Sequence, residues 1–107
     1  MTAQGSDGAV DFAYLEDFAA GDRQVVREVL TLFRQQAQLW AGSLDAADPG
    51  WRDVAHTIKG AARGVGAVAL GDACARAEAE GEGALGEVRG ALDAAVAEIG
   101  GYLARAG

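Results

Sequence analysis

Apolar residues recur along this chain at intervals of three and four, and that spacing commits it to helices. Val26, Val29, Leu30, Phe33, Ala37 and Trp40 share one face of a helix expected over residues 23–42. Trp51, Val54, Ala55, Ile58, Ala61, Ala62 and Val65 fall within about 120° of arc on a helix expected from 49 to 64 or 65. Leu70, Ala73, Cys74 and Ala77 repeat the pattern over 68–80. Leu85, Val88, Leu92, Ala95, Val96, Ile99 and Leu103 repeat it over 84–104. Alanine and leucine are plentiful, β-branched residues are few, and Pro49 is the one proline. Each of these favours helix over strand.

The breaks between these stripes are equally legible. Asp11 is suited to cap a short first helix carrying Phe12, Tyr14, Leu15 and Phe18, and Gly21 followed by Asp22 reads as a stop and a new N-cap. Asp48-Pro49 reads as a helix start, because proline at the first helical position gives up only an amide that would be unpaired anyway. A tight turn is expected around Gly66 and a loop over residues 81–83, while Gly86 and Gly90 are expected inside the last helix. Residues 1–9 are small and polar and are expected to be disordered. Residues 10–107 are expected to form one all-α domain: an antiparallel four-helix bundle with the short N-terminal helix packed across one end. With 107 residues, half of them hydrophobic, the chain can fill one core.

Charge and cysteine content narrow the function. A net charge of −7 argues against nucleic acid as the main partner, because phosphate backbones require a basic footprint. No run of about 18 uncharged apolar residues occurs, so no membrane span is expected. The N-terminal stretch MTAQGSDGAV lacks the basic and apolar regions of a signal peptide. With a single cysteine no intrachain disulfide can form, which fits the expected cytoplasmic location.

The chain has one histidine and one lysine, and they sit three residues apart in His56-Thr57-Ile58-Lys59. On the helical wheel His56 lies nearly opposite the apolar stripe of its helix. Arg52, Lys59, Gly60 and Arg63 fall on its side. A neutral imidazole is a good nucleophile near neutral pH. Cations one turn away can stabilise negative charge transferred to it, and Gly60 leaves room for another protein to approach the ring. An ordinary surface histidine beside an incidental glycine is the competing reading of the same spacing. Other chemistry is weaker. One histidine and one cysteine eighteen residues apart do not supply the four ligands of a zinc site. Cys74 lies on an apolar stripe, as a small core residue would. Gly64-Val65-Gly66 lacks the strand context of a phosphate-binding loop. Glu78, Glu80 and Glu82 read first as a solvated helix end.

Glu78 has a second reading. If the third and fourth helices form a hairpin turning near Gly66, His56 lies ten residues before the turn and Glu78 twelve after it. Both then stand roughly 15–18 Å from the turn, at similar height. A carboxylate there can accept a hydrogen bond from Nδ1–H and leave Nε2 free to attack.

His56-Thr57-Ile58-Lys59-Gly60-Ala61-Ala62, then Gly66-Ala67, Leu70 and Glu78, resembles the histidine-containing phosphotransfer (HPt) family. Leu30 and Phe33 match the family's upstream Leu-x-x-Phe arrangement, and the likeness spans residues 11–104. Arg63, where many members are small or polar, and Ala77, where leucine often precedes the acid, depart from it. The resemblance implies a phosphocarrier without kinase activity of its own, needing no cofactor. In such a carrier His56 Nε2 would accept a phosphoryl group from a sensor or hybrid histidine kinase, or from a response-regulator receiver domain. It would then pass the group to another receiver, whose acidic pocket and Mg²⁺ supply most of the catalysis. Lys59 is expected to stabilise the phosphoryl group. Receivers are expected to dock on Phe12 or Leu15 beside a basic rim of Arg52, Lys59 and Arg63, with Gly60 leaving room for their approach, and the chain is expected to act as a monomer. A chain running from Met1 to Gly107 is what a stand-alone protein would show. The alternatives are the phosphoacceptor domain of a larger histidine kinase, and a helical adaptor that transfers nothing.

Overall fold

The computed structural model describes residues 8–106. Among these residues five α-helices follow one another: α1 (Phe12–Phe18), α2 (Arg23–Ala41), α3 (Trp51–Val65), α4 (Val68–Glu80) and α5 (Leu85–Ala106), with a 3₁₀ turn, Glu82–Ala84, ahead of the last. No strand occurs among the described residues. The chain is all-α, and α2 to α5 make an antiparallel bundle. Arg27 of α2 donates to the Leu103 carbonyl of α5 at 3.3 Å, and Arg89 of α5 donates to the Leu44 carbonyl beyond the other end of α2 at 2.5 Å. Arg76 of α4 pairs with Glu87 of α5, its Nε 3.0 Å from the carboxylate.

Two of the helix starts expected from the sequence are present. Asp11 accepts from the Tyr14 amide at 3.2 Å, and Asp22 accepts from the Gln24 and Val25 amides at 3.1 and 3.2 Å. These bonds satisfy amides that have no partner inside the helix. The start of α3 differs from expectation. Asp48 spends its carboxylate on the Gly50 amide at 2.8 Å, closing a turn that contains Pro49, and the helix begins at Trp51. The last helix begins at Leu85, one residue late, because residues 82–84 wind as a 3₁₀ turn instead of a loop.

The core is built from the predicted stripes. Leu30, Ile58, Leu70, Leu85, Leu92 and Ile99 are among the most deeply buried side chains, joined by Leu44 from the α2–α3 connection. Val29, Trp40, Val54, Ala61 and Val96 pack against this core from its margin. Gly66 closes α3 in the left-handed region at φ 86°, and the Ala67 amide reaches back to the Ala62 carbonyl at 2.8 Å. The Asp11 amide donates to the Gly66 carbonyl at 2.9 Å, which seats α1 across that end of the bundle. A Cβ on Gly66 would stand 2.7 Å from the Asp11 carbonyl oxygen, so the approach itself requires glycine. Of the segment expected to be disordered, residues 1–7 lie outside the described residues. Ala9 is held, and Val10 with it: their amides donate to Glu98 of α5 at 2.6 and 3.1 Å.

Candidate functional site

His56 stands in the second turn of α3 with its side chain 70% exposed. Glu78, in the last turn of α4, reaches it across the hairpin: Oε2 lies 2.8 Å from His56 Nδ1. The other carboxylate oxygen, Oε1, lies 2.6 Å from Lys59 Nζ. One carboxylate therefore holds both the histidine and the lysine that the sequence placed one turn apart. The hairpin geometry makes this possible, because regular helices on either side of Gly66 bring residues ten and twelve positions away to one height. Lys59 and Glu78 are mostly covered, each 22% exposed, while the ring between them and solvent is open. The Lys59 ammonium, and secondarily the His56 ring, hold the Glu78 carboxyl below its ordinary range despite the opposing effect of its burial.

The arrangement fixes one tautomer. An ionised Glu78 only accepts, so Nδ1 carries the proton and Nε2 presents its lone pair to solvent. The Lys59 ammonium is directed to Glu78, and among the described residues no other side chain pairs with it.

The remaining site residues divide. A Cβ on Gly60 would meet nothing within 4 Å, so the space beside the ring is open on the protein's own side. The Arg52 guanidinium lies over the Trp51 ring, 4.6 Å from its centroid. The stem of Arg63 crosses Gly71 of α4, where an added Cβ would stand 3.2 Å from its Cγ. Leu15 is a correction: at 2% exposure it belongs to the core and has no surface to offer a partner. Phe12 is half-buried, stacked on Tyr102 with ring centroids 4.4 Å apart. Tyr14 and Val68 are exposed apolar side chains nearby, and they line a hollow with Asp11, Arg63 and Asp72. Burial pushes the Cys74 thiol up to about 11, with the Glu78 charge adding to the effect, so it is not a nucleophile at neutral pH. Among the described residues no group of three or more His, Cys, Asp or Glu side chains could hold a metal ion.

An exposed imidazole whose Nδ1 is held by a carboxylate from the next helix leaves Nε2 open as a nucleophile that can take up a phosphoryl group. The Hpt domain family model matches residues 13–102, and the chain belongs to that family, whose members carry phosphoryl groups in two-component phosphorelays. The chain is similar in structure to the histidine phosphotransferase ShpA from Caulobacter crescentus, with 61% sequence identity and a TM-score of 0.85 over 92% of this chain and 93% of that one. Among curated proteins none matches it.

Proposed function

We propose that His56 is the phosphoacceptor, that Glu78 positions it, and that the phosphoryl group passes between His56 and receiver-domain aspartates. The observation that carries this reading is the 2.8 Å contact between His56 Nδ1 and Glu78 Oε2 on an otherwise open ring. In the forward step the Nε2 lone pair attacks phosphorus of an aspartyl phosphate. The N–P bond forms, the P–O bond to the aspartate breaks, and the aspartate leaves as carboxylate. Positive charge develops on the imidazole as the bond forms, and the Nδ1–H to Glu78 contact stabilises it. Lys59 keeps Glu78 ionised. A contact of its own with the phosphoryl group would require Nζ to be shared with, or released from, Oε1. Arg52 and Arg63 form a basic rim that complements a receiver's acidic pocket, and Gly60 leaves clearance for that pocket's edge.

Kinases or receivers are the phosphoryl donors and receivers the acceptors, and the chain works as a monomer. Cytoplasmic residence is proposed on the partners' account, since their phosphoryl groups derive from ATP. No helix among the described residues is long and apolar enough to cross a membrane. The test is incubation with a phosphorylated receiver, or with a histidine kinase and labelled ATP. The expected product is acid-labile, base-stable phosphate on this chain. Stable transfer to a serine, threonine or aspartate of this chain instead would overturn the reading.

A further inference from the structure

Gly71 is buried near the start of α4, at a helical position where alanine would be the better helix former. What occupies the space beside it is Arg63 of α3. The three atoms nearest to an added Cβ are all from that side chain: Cγ at 3.2 Å, Nε at 3.5 Å and Cδ at 3.9 Å. The cover over Gly71 is therefore the stem of an arginine that is otherwise exposed. Gly60 and Gly64 of α3 show that this fit is particular to Gly71, because a Cβ on either would meet nothing within 4 Å.

A stem laid on the α4 backbone restricts where the guanidinium can stand, and so lowers the ordering cost that a partner would otherwise meet on binding it. The charge itself is unspent. Lys59 is paired with Glu78, whereas no carboxylate among the described residues lies within 4 Å of the Arg63 guanidinium. The acids that share its hollow are Asp72 and Asp11, and the Asp11 carboxylate already accepts from the Tyr14 amide. The hollow measures about 240 Å³, room for one incoming side chain, with Tyr14 and Val68 as its apolar walls. Arg63 follows His56 by seven residues, about 10 Å along α3. A partner that brings an aspartate to Nε2 covers about 800 Å², a disc about 16 Å in radius, so Arg63 falls inside the footprint.

We infer that Gly71 and Arg63 work as a pair that selects among receivers: the guanidinium held over Gly71 takes one carboxylate of the receiver, separate from the acids of its phosphorylation pocket. This rests on the assignment of His56 as phosphoacceptor. The planar guanidinium donates to both oxygens of a carboxylate at once, which a lysine ammonium at the same place does not reproduce. Asp72 repels an acid that enters the hollow away from the guanidinium, so position is read as well as charge. A receiver with a lysine or arginine there meets Arg63 as a like charge and is rejected. Gly71 acts through Arg63 and touches no partner, which makes it a positioning residue.

The test uses two phosphoryl donors: phosphoramidate, which is small and needs no docking surface, and a panel of receiver domains phosphorylated with acetyl phosphate. Gly71→Ala is expected to label with phosphoramidate at the parent's rate, while its kcat/KM with the best receiver falls roughly threefold, mainly through KM. Arg63→Glu should lower that kcat/KM roughly tenfold. In an Arg63→Ala background Gly71→Ala should have no further effect, because the side chain it displaces is gone. Arg63→Lys leaves Gly71 untouched and keeps the charge without the fork. It should raise KM as Gly71→Ala does, which keeps the test valid if Gly71→Ala folds poorly. Replacing one docking-face acid of the best receiver by lysine should restore exchange with Arg63→Glu. Equal losses from Gly71→Ala in both backgrounds would overturn the proposal, as would the absence of any such rescue. A matching loss of phosphoramidate labelling in Gly71→Ala would also overturn it, by showing that Gly71 acts on His56 through the spacing of α3 and α4. Failure of the parent to label with phosphoramidate would instead remove the His56 assignment beneath it.

Discussion

Glu78 binds two partners, and Lys59 has the stronger hold on its ionisation. Under the proposed function, Lys59 is a positioning residue that acts through the carboxylate. The Glu78 carboxyl is lowered from an ordinary value of 4.5, so the contact's contribution is complete above the ordinary carboxylate range and is lost as pH falls through the lowered value. A carbon-13 titration of the Glu78 carboxyl is expected to show a midpoint below 4.5, and Lys59→Ala should move it up. A midpoint indifferent to Lys59 would remove that role. The pairing of His56 with Glu78 was legible in the sequence because both stand on regular helices counted from one glycine turn. The direction of the Lys59 ammonium was not, since a wheel gives the bearing of a side chain but not where a flexible four-carbon stem ends. Leu15 was misplaced for a related reason. Seven residues with Phe12, Tyr14, Leu15 and Phe18 spread around them do not define a buried face.

At the scale of elements, three turn and helix positions should respond to small substitutions in opposite directions. Gly66→Ala places a Cβ against the Asp11 carbonyl in a left-handed conformation, and is expected to cost about 2 kcal/mol or more in urea unfolding. Gly60→Ala meets open space in a helix interior and is expected to stabilise by about 0.5–1 kcal/mol. Ala20 holds φ 55° between α1 and α2, so Ala20→Gly should relieve strain and gain about 0.5–1 kcal/mol. If Gly66→Ala and Gly60→Ala unfold alike, the seating of α1 on Gly66 is wrong. The turn at Gly66 could be anticipated from its place after an apolar stripe. The late start of α3 could not, because Asp48-Pro49-Gly50 serves equally as a cap or as a separate turn. The outcome depends on which amide the Asp48 carboxylate takes.

Across the whole molecule, the order and antiparallel packing of the four long helices followed from short connections between amphipathic segments. Contacts between residues far apart in sequence left no such trace. Glu98 holds the amides of Ala9 and Val10 from nearly ninety residues away, and nothing periodic announces it. The buried thiol gives a measure of the assembled core. Cys74 is fully covered and its thiol is pushed up to about 11, so at pH 8 it should resist a disulfide reagent until the bundle opens. Its labelling rate should then track unfolding by denaturant. Rapid labelling of the native protein would mean that the α3–α4 hairpin opens independently of the rest.

The most direct measurement is the site of phosphorylation at atomic resolution. The protein, labelled with nitrogen-15 and phosphorylated, is examined by proton–nitrogen correlation of its imidazole together with phosphorus-31 spectra. One phosphohistidine is expected, with phosphorus on Nε2 of His56, the proton on Nδ1, and no signal in His56→Gln, which should keep the parent's fold because the side chain is 70% exposed. Phosphorus on Nδ1, or phosphate retained by His56→Gln, would contradict the account.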